Sequence, residues 1–297
     1  MDSRRFALLA VFMVQLLYGL NYTIAKVVMN DNYVKPFGFV LLRVAGATFL
    51  FWLISCITPQ QKIEKKDFFK LFIAAIFGVA INMLFFFKGL EFTSPIHASA
   101  IMTITPVIIL ALSAYVLKEK ITALKLVGVV LALCGALVLT IYGKSARSGD
   151  NVQLGNLLIF LNAVSYSIYI ILIKKLTAKY HPLSFIKWLF LFGLILLIPF
   201  GYQELNEIQW KSFTPYTTFS VLFVILGATF GTYLLNPLAL NKLKASTVGT
   251  FIYLQPVIAG LFAIIMGADT IDMVKVIAML IIFSGVYLVS LNPKKTG

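Results

Sequence analysis

Charge is scarce in this chain. Asp, Glu, Lys and Arg make up 12% of its 297 residues, where a soluble domain carries roughly 25%. That is too little to cover a water-facing surface. Carboxylates are scarcer still, 11 against 25 Lys and Arg. Asp2, Asp31, Glu64, Asp67, Glu91, Glu119, Asp150, Glu204, Glu207, Asp269 and Asp272 all fall in loops or at the ends of apolar runs. None reaches mid-membrane depth, where proton-coupled carriers place one; His97 and Glu91 come nearest. The two histidines, His97 and His181, and the two cysteines, Cys56 and Cys134, lie far apart in sequence. Neither a four-ligand metal site nor a nucleophile with its base can be assembled from them. No cofactor motif is present. The cysteines sit inside separate apolar runs and read as buried small apolar residues rather than a disulfide.

Apolar residues are abundant, at 60% with a mean hydropathy of +0.95. A helix needs about 20 apolar residues to cross the hydrocarbon. Ten runs meet that length, beginning near Phe6, Phe37, Phe68, Pro95, Thr122, Gln153, Leu183, Thr217, Ala245 and Ile271. The first continues well past the core of a secretory signal and reads as a retained span. The expected fold is therefore an all-α integral membrane protein of ten transmembrane helices, with the lipid bilayer as its surroundings. The net charge of +14 does not point to nucleic acid, because the basic residues sit in short loops between apolar runs. With the N-terminus in the cytoplasm, the large majority fall on that side, including Lys62, Lys65, Lys66, Lys70, Lys118, Lys120, Lys174, Lys175 and Lys179. That bias places both termini inside.

The chain repeats itself. The stretch 89–140 returns at 239–290, with Pro256 on Pro106, Asp269 on Glu119, Ile271 on Ile121, Ala278 on Gly128 and Gly285 on Gly135. The polar stretch 143–151 is the longest link. The expected division is a first five-helix repeat at 1–143, a periplasmic link at 144–152 and a second repeat at 153–297. Five is odd, so the second copy crosses the membrane in the opposite sense. Such inverted repeats are the architecture of carriers that open to either side in turn.

Polar residues inside the spans are the candidate site. Pro106 and Pro256 fall near the middle of spans four and nine and each removes a helix hydrogen bond, as a packing kink or as a bend beside a solute path. Ser99 and Thr103 share a face with Pro106, and Gly249 and Tyr253 share the matching face with Pro256; Gln255 lies one step round. Span one carries Gln15, Tyr18, Gly19, Tyr22 and Lys26 at helical steps, and span six carries Asn162, Ser165, Tyr166 and Tyr169. Asn82 in span three and Thr232, Tyr233 and Asn236 in span eight complete the set. The expected substrate-binding residues are Tyr22, Lys26, Asn82, Ser99, Thr103, Tyr166, Tyr169, Tyr233, Asn236, Tyr253 and Gln255. Tyr18 and Tyr22 also suit an interfacial belt, and Lys26 either snorkels or attracts an anionic group. Arg43, about two turns into span two, must bond backbone carbonyls or reach the outer surface. Gly227 and Gly231 form GxxxG, which permits close helix contact. Glu119 and Asp269 precede helix starts, with Thr122 and Asp272 as N-caps.

The paired stretches from Gly89 to Gly135 and from 239 to 285 resemble the EamA-type transporters of the drug/metabolite transporter superfamily. The segment Tyr18–Lys26 (YGLNYTIAK) is similar to that family's first span, with Tyr18 where Trp is common, and Tyr166–Lys175 is similar to its second-copy counterpart. The resemblance implies ten helices around a central cavity and alternating access for small metabolites, often amino acids leaving the cell. It also implies a bacterial cytoplasmic membrane. The expected function is thus a small-molecule carrier and not an enzyme. An intramembrane lipid-modifying enzyme or a membrane scaffold is the alternative, and the oligomeric state is left open.

With no carboxylate at mid-membrane, solute uptake into liposomes holding the purified protein is expected to change little when a pH gradient is imposed. Strong gradient-driven accumulation would contradict this.

Overall fold

In hydrocarbon every backbone N–H and C=O needs a partner within its own segment, so the apolar runs fold as helices. A computed structural model of the chain describes residues 3–30, 33–93, 95–142, 151–265 and 273–291, and among these there is no strand. The helices are α1 (Ser3–Asn30), α2 (Pro36–Ile57), α3 (Lys65–Phe92), α4 (Ala98–Val116) and α5 (Ala123–Tyr142). They continue as α6 (Val152–Thr177), α7 (Pro182–Asn206), α8 (Pro215–Lys242), α9 (Ala245–Phe262) and α10 (Met273–Ser290). Among the described residues, nine helices are long and apolar enough to cross a membrane; α5 falls short of that measure, its apolar stretch running from Ala123 to Val138.

The starts have local causes. Pro36, Pro182 and Pro215 occupy first-turn positions of α2, α7 and α8, where a missing N–H costs nothing. Asn151 caps α6 by accepting from Leu154 N at 3.1 Å. Thr122 caps α5, accepting from Lys125 N at 3.3 Å. Asp269, Asp272 and the stretch 144–150 lie outside the described residues, as does the His97 side chain.

Small residues let helices approach to backbone contact. Along α5 and α10, Gly128 lies against Gly285 and Gly135 against Ala278, so the two helices run antiparallel. A Cβ on Gly128 would stand 2.7 Å from the Gly285 carbonyl oxygen. The helices α2 and α7 also run antiparallel: Gly201 meets Phe37 at one end, and the Trp52 and Trp188 rings meet at 5.2 Å near the other. Gly89 of α3 and Gly155 of α6 face each other's carbonyls. Large apolar side chains such as Phe49, Tyr115, Leu126, Phe219 and Leu280 are exposed around the outside, a surface suited to lipid. Cys56 and Cys134 are also exposed. The expectation that they are buried is therefore corrected: inside a bilayer an apolar run has an outward face, and both thiols lie on it.

Four helices are irregular. The helix α3 loosens into a π-turn at Ile76–Ala80, and α8 does so over Phe223–Gly231. The helix α4 tightens just before Pro106, where Thr103 N and Ile104 N reach back three residues to Ala100 O and Ile101 O. In α9 a 3₁₀ turn at Phe251–Tyr253 precedes Pro256. Both prolines thus follow a local change of pitch.

One end of the bundle carries a polar clasp. The buried Asp67 carboxylate accepts from Lys179 at 2.5 Å, Lys70 at 2.6 Å and the Tyr180 hydroxyl at 2.8 Å. Glu64 pairs with Lys179 and Lys66. Hydrogen bonds from Lys179 and Lys66 hold the Glu64 carboxyl below its ordinary range, and those to Asp67 and Glu64 hold the Lys179 ammonium above its own. Glu64 therefore stabilises this end above the carboxylate range and loses that contribution as pH falls through its lowered value. Lys179 contributes throughout neutral pH and loses it only in strong alkali.

Two outcomes follow for detergent-solubilised protein. Gly128→Leu is expected to destabilise by about 1–3 kcal/mol through overpacking, whereas Gly260→Ala, where an added Cβ meets nothing within 4 Å, should leave the melting temperature unchanged. The Glu64 end should resist proteolysis uniformly across the neutral range and open only in acid stronger than the ordinary carboxylate range.

Candidate functional site

A cavity of about 60 Å³ lies where the two halves of the chain meet. It has room for a few waters and less than a metabolite needs. The first half contributes Tyr18, Asn21 and Tyr22 from α1, Arg43 from α2, Asn82, Met83, Phe86 and Phe87 from α3, and Met102 from α4. Asn162 and Tyr166 of α6, Tyr233 of α8 and Gln255 of α9 come from the second half.

The irregular turns supply hydrogen-bond partners around it. A π-turn displaces carbonyls from the regular ladder, and side chains of the opposite half take them up. Ser165 donates to Phe77 O at 2.6 Å, and the Tyr233 hydroxyl donates to Gly78 O. In the other direction Arg43 reaches the π-turn of α8, with Nη2 to Ala228 O at 3.0 Å and Nε to Thr229 Oγ1 at 2.7 Å. Its guanidinium also lies over the Phe87 ring, 4.7 Å from the centroid. Asn162 Nδ2 donates to Asn82 O at 2.7 Å.

A second network joins α1 to α9. The Tyr22 hydroxyl donates to Gln255 Oε1 at 2.9 Å, and Gln255 Nε2 donates to Gln15 Oε1 at 2.7 Å. Four tyrosines form a tier at the cavity, Tyr18, Tyr166 and Tyr233 among its lining. Tyr18 meets Tyr166 edge-on at 6.4 Å, Tyr166 meets Tyr169 at 5.9 Å, and Tyr169 meets Tyr233 at 5.7 Å. Tyr169 rests on Gly78, where a Cβ would lie 2.0 Å from its ring. Only glycine fits there.

Of the expected substrate-binding residues, Tyr22, Asn82, Tyr166, Tyr233 and Gln255 line the cavity. Asn236 stands one layer behind, donating to the Tyr166 hydroxyl at 2.7 Å, and Tyr169 supports the tier. Tyr253 is fully buried but does not line the cavity, and its hydroxyl has no hydrogen-bond partner among the described residues. Thr103 bonds its own helix at Ala100 O, as hydroxyls in spans often do. Ser99 is buried away from the lining.

Lys26 neither snorkels nor faces the cavity. Its ammonium donates to Leu90 O, to Glu91 O at 3.0 Å and to Thr93 O at 3.2 Å, closing the C-terminal end of α3. Lys174 does the same for α8, donating to Leu240 O at 2.6 Å and Leu243 O at 2.9 Å. Helix ends leave carbonyls without partners, and a cation suits that end of the dipole. Asn21 was not among the expected residues, although it stands one helical turn beyond Tyr18. The π-turns were not anticipated either; Gly78, Gly227 and Gly231 were their only trace in the sequence.

Glu119 also acts differently from the expectation. It caps no helix of its own half. Its carboxylate accepts from Ala245 N at 2.8 Å and from Ser246 Oγ at 2.6 Å, capping α9 across the interface. Lys125 Nζ donates to the same Ser246 hydroxyl at 2.6 Å. The chain reverses at Lys118, whose φ of 55° is left-handed, directly before Glu119. Gly249 of α9 packs on Ile109 of α4 nearby, so the two halves are in close contact here. Among the described residues, no three His, Cys, Asp or Glu side chains gather to hold a metal.

The chain is 29% identical over 272 residues to an uncharacterized transporter of Archaeoglobus fulgidus, covering 92% of this chain and 94% of that one. It is 24% identical to the uncharacterized transporter YetK of Bacillus subtilis, over 83% of this chain and 75% of that one. A WAT1-related protein of Arabidopsis thaliana is 23% identical over 95% and 84% of the two chains. A crystal structure at 18% identity superposes with a TM-score of 0.75 over 96% of both chains, a likeness of fold alone. The sequence model of the EamA-like transporter family matches residues 5–141 and 153–291. The chain belongs to the EamA-like transporter family: it is a multi-pass membrane transporter.

Proposed function

We propose that the chain carries a small metabolite, amino acids being the first class to test, out of a bacterial cell by alternating access about this cavity. The observation that carries the reading is the cavity itself, lined by helices of both halves. The halves are five-helix repeats, 1–143 and 153–297, joined by a periplasmic link and inverted relative to each other in the inner membrane, with both termini cytoplasmic. Ten spans follow when α5 is counted with the nine longer helices. Paired features support the inversion. The helices α5 and α10 touch reciprocally, Gly128 on Gly285 and Gly135 on Ala278. The π-turns of α3 and α8 and the capping lysines Lys26 and Lys174 are paired likewise.

In this reading the halves rock about the tyrosine tier. The Glu119 cap on α9 and the Asp67 clasp separate, and the cavity widens to admit solute from the cytoplasm. Tyr22, Asn82, Tyr166, Tyr233 and Gln255 contact the solute. Asn236, Tyr169, Tyr253, Ser99 and Thr103 act behind them, and Pro106 and Pro256 sit where α4 and α9 bend.

Flux of a metabolite panel across liposomes tests the reading. Gln255→Ala and Asn162→Ala are expected to cut flux about tenfold, the loss of one or two hydrogen bonds to a solute, with normal membrane insertion. Leu126→Ala on the outer surface should be silent. Full flux in both cavity variants would remove this cavity from the transport path.

A further inference from the structure

Arg43 is 3% exposed and lines the cavity. A buried cation is costly unless it meets an anion or a full set of acceptors. Its contacts among the described residues are one hydroxyl, one carbonyl and one aromatic face, all uncharged. A guanidinium has five N–H donors, so these contacts do not satisfy it. No described carboxylate lies within ion-pair distance. Each is engaged elsewhere: Glu64 and Asp67 with Lys179, Glu91 with Lys88, Glu119 on the start of α9, Glu204 on the start of α2 and Glu207 with Lys35. The lining thus holds one cation and no anion.

Two further groups point into the same question. Asn21 Oδ1 and Asn162 Oδ1 are buried acceptors with no hydrogen-bond partner among the described residues. The Asn162 amide is oriented by its Nδ2 bond to Asn82 O. Such acceptors lack a donor. Met83, Phe86, Phe87 and Met102 form the apolar wall.

We propose that this cavity selects a monocarboxylate with an apolar body, its carboxylate held by Arg43 and an O–H or N–H donor on the same solute meeting Asn21 or Asn162. The proposal rests on the reading of this cavity as the transport site. A guanidinium fork matches a carboxylate in two parallel hydrogen bonds. One cation balances one negative charge. A dianionic phosphate ester would leave a second charge beside Met and Phe side chains and facing two amide oxygens. A neutral solute would leave the guanidinium uncompensated. Solute binding also bears on the halves: Arg43 of α2 holds the π-turn of α8, so a carboxylate drawing on its remaining donors acts on the same side chain that ties the halves together.

The test uses purified full-length protein. Thermal stabilisation is measured with straight-chain, phenyl-substituted and 2-hydroxy or 2-amino monocarboxylates, each paired with its primary amide and with a phosphate monoester of similar body. At least one acid is expected to bind about tenfold or more tighter than its amide, the scale of a charge-assisted hydrogen bond. That preference should vanish in Arg43→Gln and persist in Arg43→Lys. Because Arg43→Gln also loosens α2 from α8, Thr229→Val serves as the second variant: it weakens that tie by removing the Nε bond, leaves the bond to Ala228 O and the charge, and should keep the preference. Acid and amide binding alike, a phosphate ester preferred, the preference surviving in Arg43→Gln, or no acid on the panel binding would each overturn the proposal. Amides that bind and are carried as well as acids would leave the transport reading standing and remove charge selection alone. Full flux in the Gln255 and Asn162 variants would instead remove the transport reading on which the proposal rests, whatever the binding preference.

Discussion

Backbone carbonyls released at membrane depth must find donors, because hydrocarbon offers none. Most of the buried polar chemistry here answers that requirement. Lys26 and Lys174 close the ends of α3 and α8. Ser165 and Tyr233 take the carbonyls freed by the π-turn of α3, and Arg43 takes one freed by that of α8. In three of these five cases the donor belongs to the other half of the chain. Satisfying the backbone is therefore also what ties the halves together, and two of the three donors, Arg43 and Tyr233, line the cavity.

The same logic separates structural from solute-facing polar groups. A hydroxyl bonded to its own helix, like Thr103, or an ammonium filled by three carbonyls, like Lys26, has nothing left to offer a ligand. What remains is a short set: the Arg43 fork, the Asn21 and Asn162 oxygens, and the Tyr22–Gln255 pair. Glycine approaches such as Gly128 on Gly285 bring the halves close. Both ends are managed by carboxylates at helix starts. Glu119 caps α9 and Glu204 caps α2, its Oε2 accepting from Phe37 N at 2.7 Å and Gly38 N at 2.9 Å. Each contact crosses from one half to the other.

Some of this was legible in the chain. Helices begin where composition turns apolar, and the starts of α2, α7 and α8 coincide with prolines. The polar stripe of α1 points to Tyr22, and the cost of an amide facing lipid points to Gln255, but that the two bond to each other was decided by packing. The register of Lys26 suits either a lipid-water boundary or a solute, and nothing local in the sequence signals the C-terminal end of α3 that it closes. Glu119 was placed on its own helix for the same reason: a carboxylate beside a helix start is the local solution, and the nearer N–H groups proved to be those of α9. Cys56 and Cys134 were assigned to the interior because burial in water and burial in lipid look alike in composition.

From the sequence alone came the membrane, the order of the apolar runs and the family. These depend on hydrophobicity and spacing, which are properties of segments. Tertiary structure alone decided which polar groups face the cavity, which carbonyls they satisfy, and that a single cation stands there without a counter-charge among the described residues. Those facts depend on pairs of atoms more than 100 positions apart, such as Arg43 and Ala228, whose meeting is set by how the helices pack.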